Sequence, residues 1–340
     1  MRANFFLLVV ILTNLIGYSQ TLSGTVLDSK TKTPIETATV YFDNTTLGVI
    51  TNSDGKFSIK YSDAIKSPLI ISFLGYKKQV VTNYRTSNTL MILLEEDYES
   101  LEEVVVNAND GLTRKQKLRF FRREFLGLSR FGKSCTILNE DDIILRYNKK
   151  ERVLTAHSKA PLRITNNALQ YNLTYDLNSF TLEFNPPTPN QGAFSVKRVG
   201  FLGNSYYQDF EDFDKKKARK NRRKAYDGSK LQFMRALYIQ KFKENKYQIY
   251  SKNTPVDPWK YFHVEPKGNT EIKRVSLSQP LNILFKSWGK SSIKFETPSI
   301  LIDYYGNYTE ADKVIFAGKI AEQRVGDLLP FGYGLDIIEQ

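Results

Sequence analysis

Between Thr21 and Glu95 the chain has no helical period. Short apolar stretches recur every few residues instead, at Leu22–Leu27, Ala38–Phe42, Phe57–Tyr61, Leu69–Phe73, Lys78–Thr82 and Thr89–Leu94. Turn-forming segments separate them: Asp28–Lys32, Asn44–Thr46, Asn52–Gly55, Ser62–Pro68, Gly75 and Asn83–Asn88. Asp54-Gly55 is the strongest of these signals, because glycine takes a positive φ without a steric penalty. Stretches this short cannot each bury a face alone. They close on one another only as two packed sheets, so the spacing predicts an all-β sandwich.

Five motifs within this stretch follow one another in order. They are Ser23-Gly24-Thr25-Val26-Leu27-Asp28, Thr33-Pro34-Ile35, Ala38-Thr39-Val40, Thr51-Asn52-Ser53-Asp54-Gly55-Lys56-Phe57 and Ser72-Phe73-Leu74-Gly75-Tyr76. Together they resemble the carboxypeptidase regulatory-like domain, a transthyretin-like β-sandwich common in exported proteins of Bacteroidetes. The resemblance implies that residues 20–96 form this sandwich. Leu101-Glu102-Glu103-Val104-Val105-Val106 then resembles the segment that follows the module in outer-membrane TonB-dependent receptors. A receptor's plug and barrel would need several hundred more residues, and the alternating ten-residue strands of a small barrel do not recur after Thr113.

Upstream, Met1-Arg2 precedes an apolar run, Phe5–Ile16, and then Gly17-Tyr18-Ser19-Gln20. A charged start, an apolar run too short to span a bilayer and small residues at its end predict a signal peptide over residues 1–19. The expected location is the periplasm, or the outer membrane and cell surface. Cys135 is the sole cysteine, so no internal disulfide forms, and it lies too far from the leader to carry a lipid anchor. Its plainest role is that of a small hydrophobe.

Charge divides the chain unevenly. Residues 21–112 carry a net −4 and residues 113–340 a net +16. That contrast predicts two domains, with residues 97–112 as linker and residues 113–340 as a second domain. In that domain Thr113 is placed to cap a helix on which Leu118, Phe121, Phe125 and Leu128 share a face. Ile143–Tyr147 and Val153–His157 read as a hairpin around Asn148-Lys149-Lys150. Tyr171, Leu173, Tyr175 and Leu177 alternate with polar residues, and the parity then shifts to Phe180, Leu182 and Phe184. Such a shift predicts a bulge or turn at Asn178-Ser179. Further strands are expected at Ser195–Phe201, Tyr247–Tyr250, Ile293–Phe295 and Ile300–Tyr305, and helices around Asp214–Arg223 and Lys230–Tyr238. The expected class is α+β with a mainly antiparallel sheet.

This region also resembles an extension found in Bacteroidetes proteins that carry the same regulatory-like module. The matching segments include Phe121–Gly127, Cys135–Asn139, Pro161–Asn166, Tyr175–Leu177, Arg223–Ser229, Phe233–Leu237 and Leu328–Phe331. That resemblance implies no activity and no site residues.

Nothing in the pattern announces catalysis. A zinc carboxypeptidase needs His and Glu two residues apart and a distant His. His157 has no such Glu, and His263-Val264-Glu265 has the wrong spacing. Phosphate-binding glycine loops and the Gly-x-Ser-x-Gly elbow are absent from the sequence. Neither cofactor nor metal is expected. Glu140-Asp141-Asp142 reads as an exposed turn. Asp209, Glu211, Asp212 and Asp214 read as the acidic start of a helix rather than a calcium loop. Trp259, Tyr261, Tyr304, Tyr305 and Tyr308 read as packing aromatics before sugar platforms.

One charge feature stands out. Lys215, Lys216, Lys217, Arg219, Lys220, Arg222, Arg223 and Lys224 crowd into ten residues. The plain reading is a solvated helix face, with Lys216, Lys217, Lys220, Arg222 and Arg223 mostly in water. The functional reading is a contact for an anionic polymer of the envelope, such as lipopolysaccharide, acidic polysaccharide or peptidoglycan. Nucleic acid would suit the same charges, but export argues against it. The leading expectation is therefore a non-enzymatic exported binding or envelope-scaffolding protein. An accessory carbohydrate- or peptide-processing enzyme and a partner of an outer-membrane receptor are the alternatives. A pocket lined by converging carboxylates would favour the enzyme.

Overall fold

The computed structural model describes residues 20–61, 66–86, 89–97, 110–187, 194–212, 214–268, 270–287 and 289–335. The expected leader at residues 1–19, the Leu101–Val106 motif and most of the expected linker lie outside the described residues. Those described fall into two compact units, one up to residue 97 and one from residue 110 to Gly334.

The first unit is a β-sandwich. Its strands are β1 (Gln20–Asp28), β2 (Thr39–Phe42), β3 (Gly48–Ile50), β4 (Lys56–Tyr61), β5 (Leu69–Ser72), β6 (Gln79–Val81) and β7 (Thr89–Leu94). One sheet runs β4-β1-β7, with β1 antiparallel to β4 and parallel to β7; the other runs β3-β2-β5-β6. Period-two alternation is cleanest on β4, which buries Phe57, Ile59 and Tyr61 and exposes Lys56, Ser58 and Lys60. In the middle of the second sheet, Val40, Tyr41 and Phe42 on β2 face burial alongside Leu69, Ile70 and Ile71 on β5. The Phe42, Tyr61 and Tyr84 rings meet at 5.1–5.6 Å. Buried Thr51 satisfies its hydroxyl twice, donating to Ile35 O at 2.7 Å and accepting from Ala38 N–H at 2.8 Å. Gly55 holds φ +70°, and a Cβ there would lie 2.5 Å from Val26 O, so the Asp54-Gly55 turn admits no side chain. Only β3 was not foreseen. It is three residues long and half exposed, and it carries no alternation to read.

The second unit is α+β, and all its strand pairings are antiparallel among the described residues. Helix α1 (Arg114–Leu126) starts at a capping box in which Thr113 and Gln116 satisfy each other's backbone N–H. Its sheet comprises β8 (Cys135–Ile137), β9 (Ile143–Asn148), β10 (Val153–Ser158), β11 (Leu162–Asn166), β12 (Tyr171–Phe184) and β13 (Val196–Asp209). Strand β12 is the spine. Along one edge it pairs with β13 throughout; along the other it pairs first with β11 and then with β10. The register shifts between Leu177 and Ser179, where the apolar parity changes. Helix α1 lays Phe121 on Phe180 at 4.9 Å and Phe125 on Tyr175 at 5.2 Å. Its stripe stops earlier than expected: the helix ends at Leu126, and Leu128 is 63% exposed.

Two helices follow, α2 (Lys215–Tyr226) and α3 (Lys230–Tyr238). The remaining strands are β14 (Tyr247–Ser251), β15 (Thr254–Pro255), β16 (Phe262–Pro266), β17 (Lys273–Leu277), β18 (Leu281–Phe285), β19 (Gly289–Phe295), β20 (Ile300–Ile302) and β21 (Val314–Gly318). They form a sheet ordered β15-β14-β18-β19-β21 and a smaller one ordered β16-β17-β20. Phe233, Met234 and Leu237 of α3 pack with Ile249, Ile283 and Ile293 in a core of their own. The unit therefore has two apolar cores, one under α1 and one under α3.

Candidate functional site

Helix α2 carries the basic run. Asp214 is its N-cap and accepts the Lys217 N–H at 2.9 Å, so the acidic stretch before the run caps a helix. Ala218, Asn221 and Ala225 recur at helical spacing on the buried side. Asn221 donates to Ala168 O at 2.7 Å and accepts from Arg130. Arg222 belongs to this inner side as well, contrary to the expectation that it is mostly solvated. Its side chain is 12% exposed. It donates to Leu169 O at 2.9 Å, Gln170 O at 3.1 Å and Asp209 Oδ1 at 2.5 Å, and lies 3.7 Å from the Tyr171 ring centre. A guanidinium stacked and bonded in this way is a bolt between helix and sheet.

The other seven cations point outward. Lys215, Lys216, Lys217, Arg219, Lys220, Arg223 and Lys224 are all exposed. None forms an ion pair among the described residues; the single ion pair of the run is Arg222–Asp209. The result is a ridge of seven unneutralised charges on one helix of 12 residues.

At the C-terminal end of α2 the ridge meets a cavity of about 640 Å³. Lys224, Ala225, Asp227 and Gly228 form one wall. The end of α1 and the turn after it contribute Arg123, Glu124, Gly127, Leu128, Ser129 and Phe131. Tyr247, Ile283, Phe285, Gly289 and Ser291 come from the β14-β18-β19 sheet, and Lys319 to Asp327 close the far side. Close backbone packing holds that far side in place: a Cβ on Gly326 would lie 2.5 Å from Gly132 Cα and 2.6 Å from Leu126 O.

Four carboxylates line this cavity, and each has an internal partner. Glu124 lies 2.6 Å from Arg123 and 3.7 Å from Arg324. Asp227 pairs with Lys286 at 2.8 Å, and Glu322 pairs with Lys319. Asp327 accepts the Arg324 N–H at 3.1 Å. Burial raises the Asp327 carboxyl above the usual carboxylate range, against the pull of its bond from Ser129. Beside the cavity, the Lys230 N–H donates to Gln323 Oε1 at 2.8 Å. Burial, then the neighbouring Arg324 charge, lowers the Lys230 ammonium to about 8. No local signal in the sequence marks this cavity, because its walls come from segments up to two hundred residues apart.

Other residues singled out from the sequence are dispersed. His157 sits on β10 and His263 on β16, in different sheets. Burial pushes the Cys135 thiol up to about 12, so it is an inert side chain; its Sγ lies 3.4 Å from Phe131 O. Trp259 stacks on Phe242 at 5.3 Å and Tyr305 meets Phe331 edge to face at 4.8 Å, which is packing. Tyr304 is 42% exposed. Glu140-Asp141-Asp142 forms a single helical turn ahead of β9, with Glu140 paired to Arg122. Arg235 was not anticipated at all. It is buried on α3 and donates to Tyr305 O at 3.0 Å, Tyr333 O at 2.7 Å and Phe331 O, tying down the segment around Phe331.

Comparison with known proteins bears chiefly on the first unit. Residues 22–106 match the family model described as CarboxypepD_reg-like domain. No curated protein matches the chain. Among solved structures, a 9R-lipoxygenase from Cyanothece aligns at 11% identity and a TM-score of 0.18, over 65% of this chain; the chain spans about half of that protein, 48%. A Bacteroides fragilis protein described as membrane-associated and of unknown function aligns at 10% identity and a TM-score of 0.18, over 88% of this chain and 95% of its own. A Bacteroides uniformis protein described as a candidate carbohydrate binder aligns at 10% identity and a TM-score of 0.16, over 84% and 98%. Likenesses this slight carry no argument about ligand or role. Among the described residues no helix is long and apolar enough to cross a membrane.

Proposed function

We propose that this is an exported, non-enzymatic binding or scaffolding protein of the bacterial cell envelope, and that α2 is its contact with an anionic envelope polymer. The observation that carries the reading is the ridge of seven exposed cations on α2 without an ion-pair partner among the described residues. Like charges within three helical turns repel one another and raise the local potential; an anionic chain laid along them relieves that repulsion and releases counterions. The sequence pattern of residues 1–19 supports export, and the family match over residues 22–106 supports an accessory module at the N-terminus. The carboxylates of the cavity weigh against the enzyme alternative, because each is held by a cation or by the backbone instead of facing a second free carboxylate.

The test is retention of the purified protein on immobilised polygalacturonate and on lipopolysaccharide at low salt, beside a neutral glucan. The reading expects retention on the two anionic matrices alone. Equal behaviour on all three would end it. N-terminal sequencing of the envelope fraction tests export separately: a start near Ser19–Thr21 is expected, and an intact Met1 confined to the cytosol contradicts it.

A further inference from the structure

The ridge on α2 does not offer the same chemistry along its whole surface. Its two exposed arginines, Arg219 and Arg223, lie one turn apart, and Tyr226 follows Arg223 by three residues, so the three share one side of the helix. The other exposed cations of the ridge are lysines. Tyr226 packs against Tyr333 with ring centres 5.6 Å apart, and both side chains are half-buried. Buried Arg235 fixes the pair, donating to the Tyr226 hydroxyl at 3.4 Å and to Tyr333 O at 2.7 Å. Burial raises the Tyr333 hydroxyl above the ordinary tyrosine value, and the charges of Arg222, Arg223 and Arg219 act against that rise. The arginine flank and the tyrosine pair therefore adjoin. Asp227 acts on the same hydroxyl, but it is already paired with Lys286 at 2.8 Å. Among the described residues the Tyr333 hydroxyl has no hydrogen-bond partner, and Arg219 and Arg223 have no ion-pair partner.

A polymer recognised by charge alone would need nothing beyond lysine. A guanidinium adds a planar fork that takes a carboxylate by two parallel bonds. A tyrosine adds a flat apolar face with a polar tip. That pairing fits a sugar ring, whose C–H side lies on the aromatic face while its hydroxyls reach the tyrosine O–H. Fork, ring and hydroxyl in one place describe a sugar that carries a carboxylate. Resting on the polymer reading above, we infer that the polymer is a uronate-bearing polysaccharide, one acidic sugar of which sits at the Tyr226–Tyr333 end of α2, its ring against Tyr333 and its carboxylate on Arg219 and Arg223. The lysines supply attraction to any polyanion; the arginine and tyrosine flank selects among polyanions.

The experiment measures the affinity of the full chain for two polyanions of matched length, polygalacturonate and poly-L-glutamate, the second carrying carboxylates without sugar rings. Wild type is expected to bind polygalacturonate about tenfold tighter. Tyr333→Leu is expected to weaken polygalacturonate about fivefold and poly-L-glutamate less than about twofold, while Tyr333→Phe, which keeps the ring, costs about twofold at most. Arg219→Lys combined with Arg223→Lys keeps every charge and is expected to weaken polygalacturonate about threefold or more at an unchanged salt slope. Both arginines are exposed, so this variant decides the matter should Tyr333→Leu fail to fold. Equal wild-type affinity for the two polymers, a Tyr333→Leu loss shared equally by both, or unchanged polygalacturonate affinity in the double lysine variant each overturns the sugar seat and leaves the polymer reading standing. Absence of salt-dependent binding to either polymer overturns both.

Discussion

The two units of this chain handle charge in opposite ways. In the sandwich, residues 20–96 carry eight Lys/Arg against seven Asp/Glu, so the charges nearly cancel. Asp28 is held locally: it accepts the Thr31 N–H at 2.7 Å, the Lys30 N–H at 2.8 Å and the Tyr76 hydroxyl at 2.9 Å. Those bonds, led by the one from Thr31, hold its carboxyl down at about 2. In the second unit, positive charge is left over. It stands open to water along α2, and half-buried at Lys230. A domain whose charges nearly cancel is built to hold its own shape. One that keeps donors in reserve has something left to offer a ligand.

The sharpest break in this contrast lies within α2 itself. Arg222→Ala removes three hydrogen bonds and a ring stack, and is expected to destabilise the second unit by about 3 kcal/mol in denaturant unfolding. Lys220→Ala, two residues away on the outer face, is expected to change stability by less than ~0.5 kcal/mol. Equal effects would erase the distinction between bolt and ridge.

In the first unit the comparable test is steric. Gly55→Val forces a β-branched residue to φ +70° with its Cβ against Val26 O. It is expected to cost about 2 kcal/mol or more, read from the thermal transition of a 20–96 fragment. A fragment with no cooperative transition, or a variant that melts with the wild type, contradicts the sandwich as described.

Smaller effects follow from the two titrating groups. Lys230 has a lowered value in the fold, so its charge opposes folding wherever it is protonated. The penalty is complete below about 8 and fades as pH rises toward the ordinary lysine value. Lys230→Met is therefore expected to stabilise the second unit by roughly 1–2 kcal/mol at pH 7, with the gain shrinking at pH 10. Destabilisation at pH 7 would show that the ammonium is paired. Asp28 has the opposite sign. Its lowered value supports the sandwich above pH 4, and that support disappears as pH falls toward 2. Asp28→Asn is expected to flatten acid unfolding of the 20–96 fragment in that window; a profile unchanged from wild type would remove Asp28 from the account.

What could be read from the sequence follows the range of the interactions involved. Turn glycines, alternation and caps act within a few residues. Six of the seven sandwich strands, the Thr113 and Asp214 caps, helix α3 and the Leu177–Ser179 irregularity were accordingly legible. Strand β13 was expected to stop at Phe201 but continues to Asp209, because pairing with β12 carries it through Gly203 and Asn204. Strands β8, β15, β16, β17, β18 and β21 went unseen, each at most five residues long and too short for a pattern to stand out. Arg222 looked like its seven neighbours in the run; its partners, Leu169 O and Gln170 O, lie about fifty residues earlier in the chain. The cavity was illegible for the same reason, since Lys224 and Arg324, which both line it, lie a hundred residues apart in the chain.

The central claim is that α2 offers its outer face to an anionic polymer. It is tested most directly by replacing Lys216, Lys217, Lys220 and Arg223 with Gln, leaving Arg222 in place, and measuring affinity for lipopolysaccharide and polygalacturonate across a salt series. All four side chains are exposed, so the variant is expected to melt with the wild type. Its affinity at low salt is expected to fall about tenfold or more, and its salt dependence to flatten, since the lost charges are those that screening over ~8 Å weakens. Equal affinity and an equal salt slope in a folded variant would contradict the claim and leave α2 as a solvated helix face.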